Sequence, residues 1–199
     1  MHPNPAFRSE DPALFEKLIS TIGFGTVFLT TPSGPRAAHM PVLSDGNGDV
    51  RFHLARSNAL TPHLNGAQAL ITVNGPDGYV SPRWYDNRDT VPTWDYVALE
   101  MEGRVRTLCD KELETLLHDV IHTFENRIAG ERWLTTESSE RVWSGLFQGI
   151  TGFSMQVDHW RPTFKLSQKK STSERARIAA AHEAAGKPEL ARMMQDIAS

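Results

Sequence analysis

The sequence predicts a mainly β protein with peripheral helices (α+β), its strands closing into a β-barrel. Three observations predict it. Short apolar runs follow one another closely, separated by turn clusters such as Pro32-Ser33-Gly34-Pro35 and Ser44-Asp45-Gly46-Asn47-Gly48-Asp49, the pattern of hairpin-linked antiparallel strands. Residues 96–108 alternate, with Val97, Leu99 and Met101 on one side and Ala98, Glu100 and Glu102 on the other, as a half-buried strand does. Strand–helix alternation is missing, and neither GxGxxG nor GxxxxGK[ST] occurs, which excludes a doubly wound nucleotide-binding fold.

Each element follows from local chemistry. Asp11 caps a first helix and Pro12 opens it. Leu14, Phe15, Leu18, Ile19 and Ile22 recur at helical spacing, and Gly23 and Gly25 end it. Strands are expected at 26–31, 37–43 and 50–55, then a short helix over 58–66 limited by Pro62, then strands at 69–73 and 96–108. Asp110 caps a helix running to about 124, with Leu113, Leu116, Leu117, Val120, Ile121 and Phe124 on its apolar face. A further helix is expected over 136–148, a late strand over 152–158, and Ala-rich helical material over 173–198, broken at Gly186-Lys187-Pro188. The expected organisation is a barrel domain over 1–170, with helices inserted at about 110–148, and a helical tail over 171–199.

Composition narrows the class. A chain of 199 residues with 39% hydrophobic and 23% charged residues suits one soluble domain, or one domain and an appendage. Apolar runs are too short for a membrane span. The N-terminus, MHPNPAFRSEDPALF, lacks the basic and apolar regions of a secretory signal, so the cytoplasm is the expected compartment. The single Cys109 excludes a disulfide framework and a multi-cysteine zinc site, and it is expected to be a small, buried or semi-buried apolar residue. Residues 161–199 hold eight Lys and Arg against four Asp and Glu, while the whole chain carries −3. Such a basic tail attracts phosphate or DNA, or forms a solvated helical face.

The chemistry concentrates in residues 79–96, YVSPRWYDNRDTVPTWDY, which hold all three tyrosines and two of the five tryptophans. Flat amphipathic rings on a proline-stiffened loop suit a planar heteroaromatic ligand or a partner surface. A domain corner or dimer contact would use the same residues. His118 and His122 have metal-ligand spacing on a helix, but no third ligand is near them in sequence. Glu100 and Glu102 share a strand face, which an exposed barrel face explains as well as acid–base chemistry. Between the strand ending at Ala55 and the helix expected from Asn58 lie Arg56 and Ser57. A guanidinium fork, a hydroxyl and a helix N-terminus suit a phosphate, or merely cap the helix. Together with the aromatic loop they suggest a phosphorylated planar ligand, and FMN fits.

These segments resemble the PaiB family in order and spacing: His39-Met40-Pro41, His53-Leu54-Ala55-Arg56-Ser57-Asn58, Tyr79-Val80-Ser81-Pro82-Arg83-Trp84-Tyr85, Val91-Pro92-Thr93-Trp94-Asp95-Tyr96 and Phe164-Lys165-Leu166-Ser167-Gln168. The resemblance reaches to about Arg177. It implies an FMN-binding split β-barrel acting as a homodimer, described in the family as a negative transcriptional regulator. It places Arg56, Ser57 and Asn58 at the flavin phosphate, His39, Trp84, Tyr85, Thr93 and Trp94 at the ring or ribityl chain, and Lys165, Ser167 and Gln168 at a flavin site, whether their own or the partner's. Departures from the family pattern are Asp95 for Asn, Ala59 for Pro, Thr61 for Trp, and Lys169 for Asn. An FMN-dependent oxidoreductase acting on a small molecule is the alternative, since the flavin itself supplies the redox chemistry. A dimeric haem or tetrapyrrole-binding module, with His39, His53 or His63 as ligand, is a third.

Overall fold

The computed structural model describes residues 2–196. Six strands close a barrel: β1 (Phe24–Thr31), β2 (Gly34–Ser44), β3 (Asp49–Ala55), β4 (Gln68–Val80), β5 (Thr93–Thr107) and β6 (Ile150–Lys165). Their order around the barrel is β1-β2-β3-β6-β5-β4. Closure leaves no edge strand to pair with another chain. The expected mainly β fold with peripheral helices is the one observed. No helix among the described residues is long and apolar enough to cross a membrane.

The chain divides into two compact units. The first comprises residues 16–73 and 101–160. Its β1–β2 hairpin pairs Phe24 with Pro41 through Thr31 with Gly34, and Gly34 supplies the positive φ of +97° that the tight turn requires. In the β2–β3 turn the Asp45 carboxylate accepts the N–H groups of Asn47 (2.8 Å) and Asp49 (3.0 Å), as an Asx turn does. Alternate residues point inward: Val27, Met40, Val42, Phe52, Ile71, Met101 and Met155 are fully buried. Phe52 lies opposite Phe153 in the β3–β6 register and stacks on it at 5.3 Å. Each such side chain contributes about 1.5–3 kcal/mol by leaving water.

Helix α1 (Pro12–Ile22) starts where expected, the Asp11 carboxylate accepting the Ala13 N–H at 2.9 Å. Helix α2 (Thr61–Leu64) has only four residues, shorter than the span predicted from 58 to 66. Helix α3 (Asp110–Glu125) buries Leu113 and lays Leu116 against Leu43 and Leu108, with Val120 and Phe124 alongside. Its cap is Cys109, one residue before the expected Asp110, and Glu112 reaches back to the Cys109 N–H at 2.9 Å. A residue in that cap position faces solvent, so Cys109 is exposed rather than buried. Helix α4 (Glu140–Gln148) begins four residues later than expected. Ser139 caps it by accepting the Val142 N–H, and Thr135–Glu137 form a separate 3-10 turn. Ser and Thr offer the backbone local hydrogen bonds that compete with a helix interior.

The second unit holds residues 2–15, 74–100 and 161–196 of those described. Helices α5 (Thr172–Ala184) and α6 (Pro188–Asp196) join through Gly186 at φ +76°, breaking where the sequence predicts; residues 197 and 198 of that prediction lie outside the described residues. A capping box of Ser171 and Glu174 starts α5. Ile178, Leu190 and Met194 are buried, and Arg175 Nη2 donates to the Met194 carbonyl at 2.8 Å.

The long strands exceed their sequence signals. β4 continues through Asn74-Gly75-Pro76-Asp77-Gly78, beyond the strand expected at 69–73, and β5 and β6 start earlier or end later than expected. Barrel pairing satisfies backbone groups that local propensity would release to a loop.

Candidate functional site

In the first unit, the segment after β3 is built around Arg56. Its backbone N–H donates to the Gly149 carbonyl at 2.8 Å. Its Nε donates to the Gln148 carbonyl (2.9 Å) and its Nη2 to the Ile150 carbonyl (3.1 Å). One edge of the guanidinium is thus anchored to the start of β6. The Nη1 end makes no hydrogen bond among the described residues. Ser57 is exposed, and its hydroxyl makes none either. Asn58 caps a turn rather than the helix, its Oδ1 accepting the Leu60 N–H at 2.9 Å. A four-residue helix carries little dipole, so anion-binding capacity here rests on Arg56 and Ser57. His39 sits on the outer face of β2 opposite Thr26, with its Nδ1 2.9 Å from the Thr26 hydroxyl. His53 is half-buried with Nδ1 unpartnered, and burial holds its imidazole below the usual pKa.

In the second unit the structure brings together Thr93, Trp94 and Lys165. The Lys165 ammonium donates to the Thr93 hydroxyl at 2.6 Å and to the Trp94 carbonyl. Gln168 is turned onto its own segment: its Oε1 accepts the Leu166 N–H at 2.8 Å and its Nε2 donates to the Phe164 carbonyl. Ser167 donates through both its N–H and its hydroxyl to Asp95.

The aromatic segment separates into two sets. Trp84 packs edge-on against His182 at 5.6 Å, and Tyr85 is buried with the Lys170 ammonium 3.4 Å from its ring centre. Burial, then the charges of Asp95 and Glu174, push the Tyr85 phenol up. Tyr79 and Trp94 are about half exposed and meet edge to face at 6.3 Å. The outward pair is therefore Tyr79 and Trp94, while Trp84 and Tyr85 are occupied by helix α5 and the segment before it. Tyr79 was legible only as part of the motif; its outward alternation with the buried Val80 would have marked it.

His118 and His122 gain no third ligating side chain among the described residues. His118 stacks on Trp143 at 5.5 Å, His122 pairs with Asn126, and no group of three metal-ligating side chains exists among the described residues.

Solved structures share this barrel. The FAD and heme binding protein of Mycobacterium smegmatis superposes with a TM-score of 0.61 at 16% identity, over 84% of this chain and 77% of that one. The flavocytochrome Anf3 of Azotobacter vinelandii gives 0.54 at 11% identity, over 81% and 74%. The architecture is the split β-barrel. Residues 1–159 match the family described as "Putative FMN-binding domain", and the chain belongs to that family. Among curated relatives, Protease synthase and sporulation protein PAI 2 of Bacillus subtilis is 29% identical over 155 residues, covering 76% of this chain and 74% of that protein. An uncharacterized protein of Emericella nidulans is 26% identical over 207 residues, covering 82% of each. The PaiB resemblance carried by the motifs is thereby supported, and FMN is the cofactor the family defines.

Proposed function

We propose that the chain holds FMN as a homodimer and serves in the cytoplasm as a negative transcriptional regulator of the PaiB type. The observation that carries the cofactor role is Arg56, fixed along one edge by two backbone carbonyls, with the exposed Ser57 next to it in sequence. A planar donor fork held in advance suits a phosphate dianion. Asn58 shapes that turn. Within the second unit, Thr93, Trp94 and Lys165 offer stacking surface and an ammonium to a flavin, whether the chain's own or the partner's, with Trp84, Tyr85, Ser167 and Gln168 supporting them. Bound flavin supplies hydride and electron chemistry, and these residues bind and orient it.

The outer face of β1 and β2 supports the dimer. Phe24 and Phe28 are 53% and 40% exposed, opposite Pro41 and Ala37 in the register. Phe28 also lies opposite Leu70 of β4. Phe28, Arg36, Ala37, Gln68 and Leu70 contribute to a cavity of about 590 Å³. An apolar sheet face of this kind marks an interaction surface, and His39 lies within it.

One observation favours the FMN-dependent oxidoreductase as a second reading. Three basic residues of the C-terminal segment pair locally: Arg177 with Asp86, Lys187 with Asp77 at 3.9 Å, and Lys170 with Glu174 at 3.9 Å. That leaves less positive charge for a DNA backbone. Two assays separate the readings. A regulator is expected to shift promoter fragments in gels, with binding that weakens as salt rises, and not to turn over. Rapid flavin reduction by a nicotinamide nucleotide, with no DNA shift at low salt, would replace the regulator by the oxidoreductase.

A further inference from the structure

Asp95 is fully buried. Its Oδ1 accepts the Ser167 N–H at 3.1 Å and its Oδ2 the Ser167 hydroxyl at 2.7 Å. Ser167 stands at φ +56°, the one non-glycine residue at positive φ among the described residues, a conformation an L-residue keeps only when its surroundings hold it. Two residues earlier, Lys165 reaches Thr93 and Trp94. Burial drives the Lys165 ammonium toward neutrality, and the charge of Asp95 opposes that.

His182 of α5 is also buried, and its Nε2 makes no hydrogen bond but lies 4.0 Å from Asp95 Oδ2. Gly78 makes room for that ring: a Cβ there would stand 2.6 Å from it. Burial, then the charge of Lys187, hold the imidazole below its usual pKa. Tyr85 and Glu174 add acidic groups to the surroundings. Burial pushes the Asp95 carboxyl up, opposed first by the Ser167 hydroxyl hydrogen bond and then by the charge of Lys165. A neutral amide could accept the Ser167 N–H without burying a charge, so a buried carboxylate is a poor choice for stability alone.

We propose that Asp95 is a positioning residue: its carboxylate fixes the left-handed Ser167 turn and serves as counter-ion to Lys165, presenting the remaining ammonium N–H to an acceptor group of the bound flavin. Lys165, Ser167 and His182 all lie beyond the family match, which ends at residue 159. The proposal rests on the FMN reading above.

The test is a cycle in the full chain: Asp95→Asn, Lys165→Met and the double variant, each measured for the melting temperature of the flavin-free protein and for FMN affinity. Asp95→Asn is expected to melt at or above the wild-type temperature yet bind FMN about tenfold or more weakly. That loss is expected to vanish in the Lys165→Met background, since Asp95 acts through Lys165. FMN affinity within twofold of wild type, an equal loss in both backgrounds, or a variant that fails to fold would each overturn the proposal. If wild-type protein takes up no FMN, the FMN reading fails separately. The counter-ion role is then judged by ¹⁵N NMR titration of the Lys165 ammonium. A shift to lower pH in Asp95→Asn supports it, and an unmoved titration overturns it.

Discussion

Replacing Arg56 with alanine separates the two tasks the structure gives this side chain. Its Nε and Nη2 hold the carbonyls of Gln148 and Ile150 at 2.9 and 3.1 Å. At an exposed site each bond contributes about 1 kcal/mol net, so the variant loses about 2 kcal/mol of stability. For a chain of this size that lowers the melting temperature by roughly 4–8 °C. The phosphate contact is a charge-assisted hydrogen bond of about 1.5–3 kcal/mol, or roughly a 10- to 100-fold loss of FMN affinity. Riboflavin carries the same ring and ribityl chain without phosphate, and its affinity is expected to change less than threefold. Calorimetric titration of both ligands into both proteins, at one salt concentration, gives the comparison. Arg56→Lys keeps the charge but cannot span both carbonyls, and its FMN affinity is expected to fall between the two. Equal losses for FMN and riboflavin would refute the phosphate assignment, because the effect would then be a disturbed scaffold.

Other consequences follow from the packing and the charges. Gly78→Ala places a methyl 2.6 Å from the His182 ring and 2.8 Å from Leu190, and overpacking should cost about 1–3 kcal/mol in urea unfolding. Adding His182→Ala should recover part of that loss, and no recovery would mean the contact is relieved elsewhere. Glu112 is held down to about 2, first by the Arg106 guanidinium and then by the Cys109 N–H. Its folded pKa lies below the unfolded value, so its contribution is present above about pH 4.5 and fades as pH falls toward 2. Solvent screening keeps it below about 1 kcal/mol, and in Glu112→Gln that part of the acid dependence should be missing from thermal melts.

Much of the barrel was legible because its signals are local. Asp11-Pro12 at a helix start, the Ser44–Asp49 glycine turn, and the alternation of Val97, Leu99 and Met101 each act within a few residues. The signals failed where distant pairing decides. The strand expected at 69–73 runs on through Gly75-Pro76-Asp77-Gly78 as part of β4, where Gly78 leaves space for the distant His182. Helix α2 was read as long enough to orient a phosphate, yet Asn58 folds back on Leu60 and only four helical residues remain. The motifs located Lys165, Thr93 and Trp94, which the structure joins. They could not show that Trp84 and Tyr85 are taken up by His182 and Lys170 while Tyr79 faces outward. Asp95 was visible as an unexpected charge. Its grip on Ser167 was not, because a left-handed serine has no sequence signature.

The visible absorbance spectrum of the purified protein, before and after incubation with FMN and removal of free ligand, tests the cofactor assignment most directly. Flavin bands that stay with the protein in stoichiometric amount are predicted. A Soret band would point instead to a tetrapyrrole, and a colourless protein that retains no added FMN would contradict the reading outright.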